Sequence, residues 1–72
     1  MSSKKKWLSD IHRHEWYRDV KGRTWVVTMI LYHEGKKDRV CLLEMGKSED
    51  IVQPYDVIQE EIKAGRLKLF YT

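Results

Sequence analysis

Three histidines and one cysteine are the side chains of this 72-residue chain that could bind a transition metal. They are His12, His14, His33 and Cys41. A zinc site needs about four converging ligands, and a short spacing normally fixes two of them on one element. No C-x-x-C or H-x-x-x-H spacing occurs here. We therefore expect surface histidines, a buried Cys41, and neither a metal nor another cofactor.

Catalytic chemistry has equally little support in the sequence. A hydrolase needs a nucleophile beside a base that a third group orients, and neither Ser48 nor Cys41 lies in such a pattern. Glu60 and Glu61 are adjacent, so on a helix they point about 100° apart and do not form an acid pair. The four glycines each stand alone, without the pattern of a phosphate-binding loop. We expect a binding protein rather than an enzyme.

Basic residues close to aromatic ones suggest contact with phosphates and bases. Residues 1–40 carry ten Lys/Arg against five Asp/Glu, whereas residues 41–72 carry four against six. A cationic rim binds phosphates in a salt-dependent way, and an exposed aromatic beside it can stack on a base. The residues predicted to bind DNA or RNA are Lys4, Lys5, Lys6, Tyr17, Arg18, Lys21, Arg23, Lys36, Lys37 and Arg39.

A protein-interaction module is the alternative class of function. Small barrels expose sheet edges and aromatic grooves, to which a partner adds a strand or docks a Pro-rich segment. The residues predicted to form such a surface are Trp7, Trp16, Tyr17 and Phe70. Free sheet edges would also allow a homo-oligomer.

Size and composition limit the fold that positions these residues. A chain of this length has one thin core, and 42% hydrophobic with 35% charged residues is typical of a globular domain. We expect a flexible basic tail over residues 1–6 and a single small domain over residues 7–72. No apolar run is long enough to cross a bilayer, and no signal-peptide core follows the first lysines. With a single cysteine, these features favour a soluble, cytoplasmic protein.

Alternating hydrophobicity and turn residues predict a chain made mainly of strands. Strands are expected at 15–20, 24–33, 38–45, 51–53 and 66–71, with turns at 21–22, 34–37 and 46–50. Pro54 favours the start of a helix. A helix is predicted over residues 55–64, because Tyr55, Ile58 and Ile62 share one face and Gly65 can end it. Residues 6–14 are predicted to form a short N-terminal helix or an irregular lid.

The strand predicted at 24–33 is apolar on both faces. Strict alternation places one set on one face and a second set on the other. The first set is Trp25, Val27, Met29 and Leu31, and the second is Val26, Ile30 and Tyr32. A strand that bends and serves two sheets of a small barrel would have this pattern. In the last strand, Leu67, Leu69 and Tyr71 are predicted to face inward. Trp25 and at least one of Trp7 and Trp16 are predicted to be buried.

This order of elements resembles the SH3-like small barrel, in which three meandering strands precede a short strand, a helical turn and a closing strand. The segment from Trp16 to Val27, with aromatics, Asp19, Gly22 and an apolar strand, also resembles the start of small phage and prophage proteins that share this barrel. The resemblance covers about residues 16–40. It implies an α+β, mainly β fold, either an SH3-like barrel or a strongly bent antiparallel sheet (β-β-β-β-α-β). It also implies a phage or mobile-element protein; for such a protein, the protein-interaction alternative would mean binding and modulating a host or phage enzyme.

Overall fold

A computed structural model describes residues 10–71 of the chain and the side chains of residues 10–70. Within this range the elements are β1 (Trp16–Asp19), β2 (Thr24–His33), β3 (Lys36–Glu44), β4 (Ile51–Pro54), α1 (Tyr55–Lys63) and β5 (Leu67–Tyr71). All paired strands are antiparallel, and the strand order in the sheet is β4-β3-β2-β1-β5. The predicted mainly β, α+β fold and its order of elements are therefore confirmed.

The sheet is open rather than closed into a barrel. β4 and β5 are its two outer strands, and they do not pair with each other. The chain crosses from one to the other through α1, which packs against β3, β4 and β5. The predicted SH3-like barrel is therefore not confirmed, and the described residues form an open antiparallel sheet. Both outer strands have one edge without a strand partner within residues 10–71.

Three extra residues interrupt the alternation of side chains along the strands. Thr28 lies between the paired positions of β2, Asp38 between those of β3, and Phe70 between those of β5. An extra residue of this kind is a β-bulge, which shifts the following side chains to the opposite face. The bulges therefore decide which residues reach the core.

The effect of the Thr28 bulge is visible in the burial of β2. Val27 and Ile30 are both buried although they are three residues apart, while Met29 and Leu31 are exposed. The predicted division of this strand into two faces is therefore wrong beyond Val27, because it assumed strict alternation.

One apolar core holds the sheet and α1 together. Its buried members are Ile11, Tyr17, Val27, Ile30, Val40, Leu42, Tyr55, Ile58 and Leu67, and Trp25 and Ile62 pack against it while partly exposed. Cys41 is buried, as predicted. Leu67 is buried as predicted, but Leu69 is half exposed, since it lines an open cleft with His12 and Ile62. The side chain of Tyr71 lies outside the described part of the chain.

The segment before β1 attaches to α1 rather than forming a helix. Residues 10–14 contain a turn at Arg13 and His14. The backbone N–H of Ile11 donates to the Tyr55 hydroxyl at 3.1 Å. Of the two forms predicted for residues 6–14, the helix is therefore wrong for residues 10–14. Residues 6–9 lie outside the described range.

The end of α1 confirms the predicted role of Gly65. Its φ is +81°, its N–H donates to the Ile62 carbonyl at 3.1 Å, and the N–H of Arg66 donates to the Glu61 carbonyl at 2.9 Å. These two bonds form a Schellman motif, which needs a residue with positive φ. The Arg66 side chain donates two further bonds to the Glu61 carboxylate, at 3.0 and 2.9 Å. The motif fixes where β5 begins.

The β2–β3 turn contains a strained residue, Glu34. Glu34 and Gly35 both have positive φ, at 52° and 78°, the pattern of a type I′ hairpin turn that favours Asn-Gly. A glutamate in this left-handed region costs roughly 1 kcal/mol. We expect Glu34→Asn to raise the free energy of unfolding by about 0.5–1 kcal/mol in urea denaturation, and Gly35→Ala to lower it. An unchanged midpoint for Glu34→Asn would show that the turn holds no such strain.

Candidate nucleic-acid interface

The residues predicted to form a basic rim occupy two distant turns. Lys21 and Arg23 lie in the β1–β2 turn, whereas Lys36 and Lys37 begin β3 after the next turn. β2 connects the two turns with ten residues, which corresponds to roughly 30 Å of extended chain. The longest dimension of the described fold is 38 Å. The structure therefore does not bring these four cations onto one site.

The charge of the described range is balanced. Residues 10–71 contain eleven Lys/Arg and eleven Asp/Glu, so the net charge of +3 corresponds to Lys4, Lys5 and Lys6. These three lysines, predicted to contact phosphates, lie outside the described residues. A cationic surface on the fold itself must therefore be a local one.

Besides Arg18, three of the predicted cations make contacts within the fold. Arg23 donates from Nε to Asp19 at 2.7 Å, and Arg39 Nε lies 3.5 Å from the Asp38 carboxylate. Lys37 donates to the Ile11 carbonyl at 2.8 Å. Its ammonium also lies 5.7 Å from the centre of the Tyr55 ring. The side chain of this lysine therefore contacts two residues of the core.

Arg18 is the predicted cation that lies against an exposed aromatic ring. Its guanidinium carbon is 4.7 Å from the centre of the Phe70 ring, and Phe70 is 49% exposed. Lys68 is the cross-strand partner of Arg18 in the β1–β5 pairing, so both side chains stand on one face of the sheet. We call Arg18, Lys68 and Phe70 the β1–β5 platform.

The bulge in β5 explains how this arrangement forms. Trp16 pairs with Tyr71 and Tyr17 pairs with Leu69, which leaves Phe70 as the extra residue. A bulge bends its strand and redirects a side chain, and here the ring lies beneath the Arg18 guanidinium. The guanidinium also donates to the Thr24 hydroxyl at 3.4 Å, which keeps it on the sheet surface.

A shallow cleft of about 430 Å³ adjoins the platform. Its lining is Arg18, Asp19, Val20, Gly65, Arg66, Lys68 and Phe70. Arg66 is paired with Glu61, and the hydrogen bond from Arg66 lowers the pKa of that carboxyl. Arg18 and Lys68 form no ion pair with any residue whose side chain is described. They are the two cations of the cleft whose charge is available to a phosphate.

Asp19 organises the turn beside this cleft. Its Oδ1 accepts the backbone N–H of Lys21 at 3.0 Å and that of Arg23 at 2.9 Å. Its Oδ2 accepts Arg23 Nε at 2.7 Å and the indole N–H of Trp25 at 3.1 Å. Burial alone would raise the pKa of Asp19, but the bonds from Trp25, Arg23 and Lys21 outweigh it and lower the pKa to about 2. This carboxylate stays ionised and is already saturated with donors.

The aromatic residues differ in how far their side chains are exposed to solvent. Tyr17 is only 1% exposed, and its hydroxyl donates to Glu15 at 2.7 Å. Its prediction as a stacking or protein-binding residue is wrong, because the side chain belongs to the core. Trp16 and Trp25 are partly buried, and Trp7 lies outside the described residues. The Arg23 guanidinium lies 5.8 Å from the centre of the Trp25 ring, but that ring is partly buried. Among the aromatic rings with a cation beside them in the described range, that of Phe70 is the half-exposed one.

Within residues 10–71, no group of three or more His, Cys, Asp or Glu side chains could hold a metal ion. The described range also contains no helix with the length and apolar character needed to cross a membrane. His12 contacts Glu15, with Nδ1 3.4 Å from the carboxylate.

Known proteins provide no further guide to the site. No protein-family model, curated protein or solved structure matches this chain at a significant level. The geometry of the β1–β5 platform is therefore the main basis for a functional assignment.

Proposed function

We propose that the protein is a non-enzymatic binding protein that holds nucleic acid on the β1–β5 platform. The observation that carries this proposal is the Arg18 guanidinium, 4.7 Å from the centre of the half-exposed Phe70 ring. Aromatic rings and guanidinium planes both stack on bases. Lys68, on the neighbouring position of β5, supplies a charge for a phosphate.

The form of nucleic acid that suits this platform is single-stranded DNA or RNA. A base must leave its own stack before a side chain can cover its face. The platform lies beside a shallow cleft, and its elements are strands and a turn rather than a helix shaped for a major groove. Lys4, Lys5 and Lys6 would add phosphate contacts along the same strand.

The salt dependence of binding tests this proposal. We expect a fluorescein-labelled single-stranded 12-mer to bind with micromolar affinity at 50 mM salt, and more tightly than the matching duplex. For single strands the logarithm of the affinity falls by about 0.7 per phosphate contact for each tenfold increase in salt. Two platform cations therefore predict a slope of about −1.4, and three contributing tail lysines would steepen it to about −3.5.

A variant in which Lys4, Lys5 and Lys6 are replaced by Ser separates the contribution of the tail to binding from that of the platform. Binding that persists in this variant with the shallower slope would support the platform. Absence of binding by the unmodified protein at low salt would overturn the proposal.

The broader family relation is a second part of the proposal. The β-β-β-β-α-β order supports a relation to SH3-like small barrels of phage or mobile-element proteins, with the gap between β4 and β5 left open. Such a protein would act in the cytoplasm, where the buried Cys41 remains reduced.

A further inference from the structure

A separate apolar groove opens between α1, β4 and the β1–β2 turn. Its volume is about 290 Å³. Trp25, Ile51 and Val57 are among its lining residues, and Ile51 and Val57 are 41% and 46% exposed. We call this the α1 groove. Its volume lies at the lower limit of ligand pockets, which suits one large apolar side chain better than a cofactor.

Three cationic and two anionic side chains line the α1 groove, and this excess of positive charge favours an acidic ligand. The carboxylates that line it are those of Asp19 and Glu61, and each is already paired with an arginine. Arg23 donates from Nε to Asp19, and its guanidinium lies 5.8 Å from the centre of the Trp25 ring. Its terminal nitrogens donate to no described residue. Lys21 also lines the groove and forms no ion pair within the described part of the chain. Two cationic side chains therefore have unused donors beside an apolar surface.

We propose that the α1 groove binds a short acidic peptide segment of a partner protein. One large apolar side chain of the peptide enters between Trp25, Ile51 and Val57, and neighbouring carboxylates contact Lys21 and Arg23. Charge-assisted bonds to lysine and arginine then fix the orientation of the segment. This inference does not rest on nucleic-acid binding, because none of Arg18, Lys68 and Phe70 lines the groove. The groove and the cleft beside the platform share Asp19, Val20 and Arg66.

The test is an NMR titration of the ¹⁵N-labelled protein with two blocked hexapeptides. The acidic probe is Asp-Glu-Leu-Phe-Glu-Asp, and the control is Lys-Lys-Leu-Phe-Lys-Lys. We expect the acidic peptide to bind with a Kd below 1 mM and to shift the indole N–H of Trp25 and the amides of residues 20–23, 51–53 and 55–58. The basic peptide should bind at least tenfold more weakly.

Two exposed substitutions test the geometry of the groove. Val57→Glu and Lys21→Glu should each weaken the acidic peptide at least fivefold, whereas Phe70→Ala should leave its affinity unchanged. Lys21→Glu lies in an exposed turn and keeps the test valid if Val57→Glu does not fold. Equal binding of both peptides, no shift at 5 mM, or shifts centred on Phe70 would each overturn the proposal.

Discussion

We expect Asp19→Ala to lower the free energy of unfolding by about 3 kcal/mol. The substitution removes the acceptor of four hydrogen bonds, two from backbone N–H groups of the turn and two from the side chains of Arg23 and Trp25. Hydrogen bonds to a charged group contribute roughly 1.5–3 kcal/mol where they are shielded from water, and less where they are exposed. The indole N–H of Trp25, which is partly buried, would also lose its partner. Urea denaturation at pH 7 measures the change.

The matched control is Asp19→Asn, which keeps an oxygen for the turn but loses the charge. We expect it to lose about half as much stability as Asp19→Ala. A value for Asp19→Ala within 0.5 kcal/mol of the unmodified protein would contradict this account of the turn.

The same carboxylate gives the protein a defined acid sensitivity. The pKa of Asp19 is about 2 in the fold, below its ordinary value of 3.8, so the folded state favours the ionised form. Ionised Asp19 contributes up to about 2 kcal/mol to the free energy of unfolding above pH 4. This contribution is lost as the pH falls towards 2. Between pH 5 and pH 2, the free energy of unfolding should therefore fall less for Asp19→Ala than for the unmodified protein. Denaturation curves at the two pH values measure this difference.

The second large effect is expected at the β1–β5 platform. Phe70→Ala should weaken binding of the single-stranded 12-mer by about tenfold or more, because stacking on an aromatic side chain contributes roughly 1–3 kcal/mol per base. Arg18→Glu should weaken it by about a hundredfold, since it removes a phosphate contact, adds a repulsive charge and abolishes the stack on Phe70. Fluorescence anisotropy at 50 mM salt measures both.

Lys36→Glu is the matched control for Arg18→Glu. It makes the same change of charge at an exposed position of the distant β2–β3 hairpin. We expect a loss of no more than about threefold, from long-range electrostatics alone. An equal loss for Lys36→Glu and Arg18→Glu would indicate a diffuse attraction to the whole chain and would contradict a localised platform.

The elements that local sequence determines could be predicted. Gly65 ends α1 where the spacing of Tyr55, Ile58 and Ile62 predicted, because capping and helical periodicity depend on residues within a few positions. The position of β2 was likewise evident from its run of strand-forming residues. The faces of β2 were not, because the Thr28 bulge depends on how β3 pairs with it.

The candidate site could likewise be predicted only in part, because it also depends on how strands pair. Arg18 was predicted from its charge, but Lys68 was not, and Phe70 was assigned only to the protein-binding alternative. Their proximity arises from pairing between β1 and β5, near opposite ends of the chain, and from a bulge in that pairing. Tyr17 was wrongly expected at the surface, because neighbouring aromatics in a strand do not reveal which one points inward until the partner strands are known.

The most direct test of nucleic-acid binding on the platform is an NMR titration of the ¹⁵N-labelled protein with the single-stranded 12-mer. The proposal predicts shifts at the amides of residues 16–18 and 66–70 and at the Arg18 guanidinium, with little change at residues 34–37. Shifts centred on residues 34–39, or no shifts at low salt, would contradict it.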